Sequence, residues 1–567
     1  LACVLENLIF FLCITLIMMR GWVLLGALLV FLQVAMVCDA SPVYPEAVGE
    51  PMEIMALTPR GVIRIDSDAD FTAANGVVAG SGTPDDPYII EGWLIDAQGA
   101  GNCIYVGNTT SHFIIRNCEL YNASYISWPF HRGAGITLYN VINGTVVYNS
   151  IHDNGNDGIY LRFANYTEVS HNTVCNNSLF GIHLSGSVHD TVYNNTLWED
   201  GVFIYMDSLA TGTTHDIPSN NTVNGRRVYY YSNADMNNAS VPADAGQVLV
   251  YAVSNLKVED LNLSDADVGV VAFQATGLYV ANNTCNSGDY VGMFLQYTNH
   301  STVTNNTCSF NRYQGIALYS CYWNTISDNT ATKNGNNGIY LYSSDDNTIR
   351  GNNCSFNVNY HGISLDSYSE TNNLEYNVCT QNNRSGIYVG ASGNDIFWNT
   401  LTYNYYGVYL AQYTMVTQIH GNNISYNQYG VYIDASDSNL VVANTISYNA
   451  DYGVYITSGS NDNRIYGNNF LYNRGSTDTY DSTRVQAYDV GSNNLWNSTG
   501  DGNYWSDWTS PDSDGNGIVD VPYDIDGVGA RDWYPLTEPT VIPEISTPLL
   551  AVFMVALLCI FAVSRGS

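Results

Sequence analysis

From residue 135 onward, a glycine followed by an aliphatic, a variable and a second aliphatic residue recurs along the chain. The pattern begins at Gly135, Gly158, Gly181 and Gly201, then at Gly292, Gly315, Gly338, Gly362, Gly386, Gly407, Gly430 and Gly453. Successive intervals are 23, 23 and 20 in the first block and 23, 23, 24, 24, 21, 23 and 23 in the second. A degenerate copy at Gly269 lies 23 before Gly292, and the longer interval from Gly201 to Gly269 leaves room for nearly three more copies. A second element follows at a steady offset, as in NNCSFN (352–357), NTLTYN (399–404), NNISYN (422–427), NTISYN (444–449) and NNFLYN (468–473). Between the bracketing asparagines the residues alternate, which places Ile424 and Tyr426 on one face and Ser425 on the other, the period of two of a strand. By that parity Tyr403, Tyr426, Tyr448 and Tyr472 form an interior stack.

Short strands separated by Asn, Gly, Ser and Asp, with no helical periodicity, predict an all-β parallel β-helix of about 23 residues per coil. Strands of successive coils lie about 4.8 Å apart, so equivalent residues stack in columns. Asparagine tolerates left-handed turns, and its amide can bond its counterpart one coil away. The predicted organisation is a signal segment over 1–40, an N-terminal cap over 41–100, β-helix repeats over 101–475, a C-terminal cap over 476–540 and a membrane anchor or sorting tail over 541–567. The repeat region holds about sixteen coils. Cys308 follows Cys285 by 23 and Cys379 follows Cys354 by 25. Both pairs are expected inward on neighbouring coils as free thiols, because an in-register stack aims both sulfurs the same way.

The ends and the charge set the compartment. Arg20, the apolar run Trp22–Val37 and the small residues Cys38 and Ala40 read as a secretory signal cleaved after Ala40, with Met18 or Met19 as the start. The apolar run from Pro548 to Val563, closed by Arg565, reads as a C-terminal transmembrane helix. Together they predict the extracellular face of the membrane. A net charge of -34, with 18 basic residues against 52 acidic ones, excludes nucleic acid as a partner. Sequons at Asn108, Asn143, Asn262, Asn383 and Asn423 permit glycosylation there.

GSGTPDDPYIIEGWLIDA (80–97), NNTVNGRRVYYY (220–231), DAGQVLVYAVSNLKVEDLNLS (244–264), the Asn-rich coils, GNYWSDW (502–508) and DWYPL (532–536) carry a family resemblance. With these motifs the chain resembles NosD-like right-handed β-helix proteins, especially archaeal secreted ones. The resemblance implies a solenoid of carbohydrate-binding and sugar-hydrolase type repeats, capped at both ends. The namesake's role in copper maturation does not carry over, because copper handling favours convergent Met, His and Cys, and the ten histidines here are scattered.

Three stretches are candidates for chemistry. His361-Gly362-Ile363-Ser364, with Asp345-Asp346 upstream, looks like a polygalacturonase signature. Its partners are missing, however: Asn324-Thr325-Ile326 stands where Asn-Thr-Asp is needed, and no Arg-x-Lys follows. No catalytic residue is therefore assigned. In Gly-Ile-x-Leu the x side chain points outward, and there Tyr388, Tyr409, Tyr432 and Tyr455 form a column, with Tyr340, Phe294 and Tyr160 further up, suited to stacking on a neutral glycan. In DSDGNGIVD, Asp512, Asp514, Asn516, Ile518 (through its carbonyl) and Asp520 match positions 1, 3, 5, 7 and 9 of a calcium loop, while position 12 is Tyr523. Asp524 or Asp526 is left to supply the missing carboxylate, and calcium, in a structural role, is the one cofactor expected. The sequence thus predicts a structural or adhesive surface protein that binds neutral polysaccharide or cell-surface glycan. A polysaccharide-active hydrolase, lyase or epimerase is the alternative, and a copper-handling accessory protein a further one.

Overall fold

The computed structural model describes residues 57–124 and 133–541. The apolar terminal segments read as signal and anchor lie outside them, and no helix among the described residues is long and apolar enough to cross a membrane. The described chain is a parallel β-solenoid in which ladder partners on neighbouring coils are typically 23 positions apart. Ile316, Ile339, Ile363 and Ile387 lie in register on successive coils and are fully buried.

The asparagines explain the regularity. In the column Asn306, Asn329, Asn352, Asn377, each Oδ1 accepts both the backbone N–H and the Nδ2 of the asparagine one coil earlier, at 2.9–3.0 Å. Each Nδ2 also donates to a backbone carbonyl, such as Asn329 to Val303 at 2.9 Å. These side chains are at most 1% exposed, and their burial is tolerated because every polar atom has a partner. The left-handed turn belongs to the preceding residue: Asn305 and Asp328 have φ of 55°, directly before Asn306 and Asn329. The repeat glycines stand where ladder and backbone converge. A Cβ on Gly315 would sit 2.8 Å from the Asn334 amide and from the Gly338 carbonyl oxygen.

The run of coils expected from 101 to 475 is divided. Residues 58–223 form a first stack, in which two of the sheets have six strands each. The interval after Gly201 holds the last coil of the first stack, interrupted by a five-residue helix, Leu209–Thr213, and then an antiparallel step that pairs Thr222 with Arg227. Two fifteen-residue strands follow, Arg226–Ser240 and Ala245–Glu259, parallel to each other. The second then pairs with Val270–Phe273 and, further along, with Tyr279–Ala281. Alternate residues of that strand serve different cores. Val248 and Val250 belong to the second stack's interior, whereas Leu249 and Tyr251 pack with the first. Gln247 stitches the stacks by accepting from Val202 N–H and donating to the Val202 carbonyl, both at 2.9 Å. Asp267 accepts from Gly181 and Gly201 N–H at 3.1 and 2.6 Å. Its burial pushes the carboxyl well above the usual range.

All eight cysteines of the described residues are free and buried. Cys285, Cys308, Ala331, Cys354, Cys379, Leu401, Ile424, Ile446 and Phe470 all lie in the second core, one from each successive coil, so this column of the repeat enlarges toward the C-terminal end. There Phe470 stacks on Trp505 at 4.2 Å, and Trp505 on Tyr523 at 4.0 Å, closing the core with flat rings.

The interior tyrosine stack is not interior. Tyr403, Tyr426 and Tyr448 are 56%, 48% and 47% exposed. Strand alternation stops one residue before them, because Tyr403, Tyr426, Tyr448 and Tyr472 all sit in left-handed backbone, with φ of 53–58°. The turn swings each ring outward while Ile424, two residues before Tyr426, stays buried.

Candidate functional site

The strand column is built as read. Tyr388, Tyr409, Tyr432 and Tyr455 pair in register on successive coils and continue into Tyr488. All four are half-buried. Neighbouring rings stack at 5.6, 5.4, 5.0 and 4.6 Å with interplanar angles of 5–20°. Their faces are therefore turned on one another, and what they offer to solvent is a row of edges and hydroxyls. Of the upper members expected in solvent, Tyr340 is half-buried like these four, whereas Phe294 is 5% exposed and packs edge-on against Phe203 of the first stack, and Tyr160 is 4% exposed.

Beside Tyr388 and Tyr409 lies a groove of about 890 Å³. Its floor follows from the residue after each strand, which on successive coils is Asp366, Gly390, Ala411 and Asp434, each donating its N–H to the coil before. Two small residues thus lie between two carboxylates. Asp366 accepts the Tyr340 hydroxyl at 3.0 Å and Asp434 the Tyr409 hydroxyl at 2.8 Å. Burial, followed by the bond to Asp434, raises the Tyr409 phenol above its ordinary value. His361 stands at one end, stacked on Tyr388 at 4.7 Å, and its Nδ1 accepts from Ser385 N–H at 3.2 Å. Burial, with Arg384 nearby, pushes the imidazole down to about 3, so it is neutral. Arg384 lies over the Tyr360 ring at 4.8 Å and has no carboxylate partner among the described residues.

Asp366 and Asp434 are three coil steps apart, about 14 Å from the strand spacing. Glycoside hydrolysis by a carboxyl pair needs about 5–9.5 Å, so these two do not form such a pair. The polygalacturonase-like segment likewise does not assemble. Asn324 is a buried ladder residue bonded to Asn347, and Asp345 and Asp346 are turn acids that accept from Glu370 N–H and the Thr371 hydroxyl, each at 2.8 Å. Sequence reasoning missed Asp366, Arg384 and Asp434 because they flank the repeat motif rather than occupy it.

Near the C-terminal end, the carboxylates of Asp512, Asp514 and Asp520 lie within 4.8 Å of one another. Asp512 accepts from Gly515, Asn516 and Gly517 N–H, and Asn516 Oδ1 from Ile518 N–H. Asp524 and Asp526 are engaged elsewhere, with Arg531 at 2.6 Å and Arg474 at 2.8 Å.

The sequence profile of the periplasmic copper-binding protein (NosD) family matches residues 208–378 and 356–510, more than half the chain. The chain belongs to the NosD family. A right-handed β-helix profile matches residues 89–241, so the two profiles meet near the boundary between the stacks. No curated protein matches this NosD-family chain. Among solved structures, the periplasmic alginate epimerase AlgG is similar at 13% identity and a TM-score of 0.31, over 72% of this chain and 84% of that one. The A-module of the Azotobacter vinelandii mannuronan C-5 epimerase AlgE6 gives 11% and 0.21, over 74% and 86%. The Dettilon tailspike protein gives 12% and 0.21, over 68% and 62%. Nothing about the activity of this chain follows from them.

Copper, named in the family's description, does not fit the residues present. The thiols of the described residues are buried, which pushes Cys103, Cys118 and Cys321 up to about 12 and disfavours the ligating thiolate. Among the described residues, Asp512, Asp514 and Asp520 are the one group of three or more His, Cys, Asp or Glu side chains close enough to share an ion. Those hard oxygen donors suit calcium or magnesium rather than copper.

Proposed function

We propose that the protein is a surface scaffold that binds neutral glycans on one face of its second stack, anchored by its C-terminal apolar segment on the outer side of a membrane. The observation that carries this reading is the groove of about 890 Å³ beside the in-register column Tyr388, Tyr409, Tyr432 and Tyr455. Phenol hydroxyls, two carboxylates and one guanidinium line a rigid, aromatic-walled depression, which is the chemistry that sugar hydroxyls need. At a net charge of -34, polyanionic glycans are repelled. The test is retention of the full chain on soluble starch, mannan, xylan and polygalacturonate, before and after changing Tyr409 and Tyr432 to Ala. Salt-insensitive retention on a neutral glycan, weakened in the double variant, is expected. No retention on any of them overturns the reading.

We also propose calcium at Asp512, Asp514, Asn516, Ile518 and Asp520, holding the C-terminal cap. Ligand that binds only the folded state raises its melting temperature. A calcium-dependent rise that Asp514→Ala abolishes is expected, and equal melting in calcium and in chelator rejects the site.

A further inference from the structure

The connections after the groove strands differ in length. Asp366–Asn372 and Ala411–Thr417 each span seven residues, whereas Gly390–Asn394 between them spans five. The short connection leaves a gap one coil wide between two longer loops, and this notch opens onto the two-coil floor of Gly390 and Ala411 between Asp366 and Asp434. Tyr368, at 72% exposure, rises on one loop, and Tyr413, at 83%, on the other. Tyr413 lines the groove and stacks on no other ring among the described residues. Its faces are free, unlike those of the stacked column.

Resting on the glycan reading above, we propose that the ligand is a neutral hexose segment running parallel to the strands, in the notch over Gly390 and Ala411, with one sugar ring against Tyr413. A path along the solenoid axis is blocked on both sides by the longer loops. Parallel to the strands the floor is open, because Gly390 has no side chain and Ala411 only a methyl group. Asp366 and Asp434 stand at the two walls as acceptors for hydroxyls, and Arg384 at one end is the donor. Two carboxylates against one guanidinium leave the notch net negative, which selects hydroxyl-rich neutral sugars over uronates.

The experiment compares three variants of the full chain on whichever of starch, mannan and xylan retains the wild type. Ala411→Trp fills the notch, Tyr413→Ala removes the free ring, and Tyr426→Ala alters an exposed ring of the corner column, away from the groove. Circular dichroism and melting verify folding, and the exposed position of Tyr413 keeps the test valid if Ala411→Trp disturbs the coil. The expected result is at least a tenfold loss of affinity in Ala411→Trp and Tyr413→Ala, with Tyr426→Ala unchanged. Wild-type affinity in Ala411→Trp and Tyr413→Ala overturns the notch, and a loss in Tyr426→Ala instead moves the binding face to the corner column. A wild type that none of the three glycans retains removes both readings together.

Discussion

Two tyrosine columns run along the second stack, and they differ in everything except stacking. The strand column and the corner column Tyr403, Tyr426, Tyr448 and Tyr472 have similar ring separations, 4.6–5.6 Å against 5.1–5.2 Å. One lies on extended strand, half-buried beside carboxylates and a groove. The other stands in left-handed turns, with Tyr403, Tyr426 and Tyr448 exposed and Tyr472 half-buried. Stacking in a parallel solenoid follows from register alone, since residues one coil apart are held at strand spacing whether or not anything covers them. An aromatic ladder is therefore no sign of function by itself. What lies beside it, here Asp366, Arg384 and Asp434, nominates the strand column and not the corner one.

The largest effect is expected beneath the corner column, in the ladder that holds both columns in register. Asn404 directly follows Tyr403. Its Oδ1 accepts from Asn382 N–H and Nδ2 at 2.9 and 3.0 Å, and its Nδ2 donates to the Cys379 carbonyl and to Asn427 Oδ1. Asn404→Ala removes four buried hydrogen bonds and leaves the Asn382 N–H unpaired, while Asn382 Nδ2 keeps the Cys354 carbonyl and Asn427 Oδ1 keeps the residue 404 N–H, and it is expected to cost about 3–5 kcal/mol by urea denaturation. Asn423→Ala, at an exposed asparagine of the same motif, is expected to stay within about 0.5 kcal/mol. Equal losses would mean that the ladder is not what aligns the columns.

Next comes a direct contrast between rings. Tyr409 is sandwiched between Tyr388 and Tyr432 and bonds Asp434, whereas Tyr426 has two stacked neighbours and solvent. Tyr409→Ala is expected to lose about 2 kcal/mol, and Tyr426→Ala about 1 kcal/mol. A larger loss at Tyr426, measured the same way, would reverse the ranking of the columns.

Much of this was legible in the sequence, for physical reasons. Gly-Ile-x-Leu repeats because the backbone at glycine touches the next coil, and Asn brackets repeat because a buried amide must find the same amide one coil away. A one-residue period shift was invisible, since alternation runs on through Tyr426 in sequence while the backbone at Tyr426 turns left-handed. The division into stacks was equally hidden. The stretch from Gly201 to Gly269 fits three coils by length, and nothing in VLVYAV reveals that Val250 and Tyr251 face different cores. The groove escaped because it is made by a shortened connection and by residues outside the motif.

Smaller, and specific to the strand column, is a pH effect. Burial first, then Tyr406, Tyr455 and Asp434, raises Tyr432 up to about 12, and burial likewise raises Tyr388 and Tyr455. A phenol in the unfolded chain ionises near pH 10. The folded form therefore holds its proton longer, and the stability contributed is complete below about pH 10 and is lost as pH rises through the folded value. Phenolate absorbance during an alkaline titration should show a late-ionising set, reduced by one in Tyr432→Phe. A titration curve unchanged by that substitution removes Tyr432 from the set.

The smallest effect belongs to Tyr426→Gly, and it tests why a bulky ring sits in a left-handed turn at all. Left-handed backbone costs a non-glycine residue about 1–2 kcal/mol, which glycine avoids, while glycine's greater freedom in the unfolded chain returns about 0.5–1 kcal/mol of that gain. Losing the stacking on Tyr403 and Tyr448, at 5.1 and 5.2 Å, costs about 1 kcal/mol at an exposed site. These terms nearly cancel, so the net change by urea denaturation should lie within about 1 kcal/mol, the ordinary range of a single substitution. At Tyr432 the backbone is ordinary strand, so Tyr432→Gly gains nothing from relieved strain and is expected to lose clearly more. Glycan retention by Tyr426→Gly should match the wild type. A stability loss as large as that expected for Tyr432→Gly would make the corner rings a necessary clamp between coils, and a loss of retention would move the binding face from the strand column to the corner.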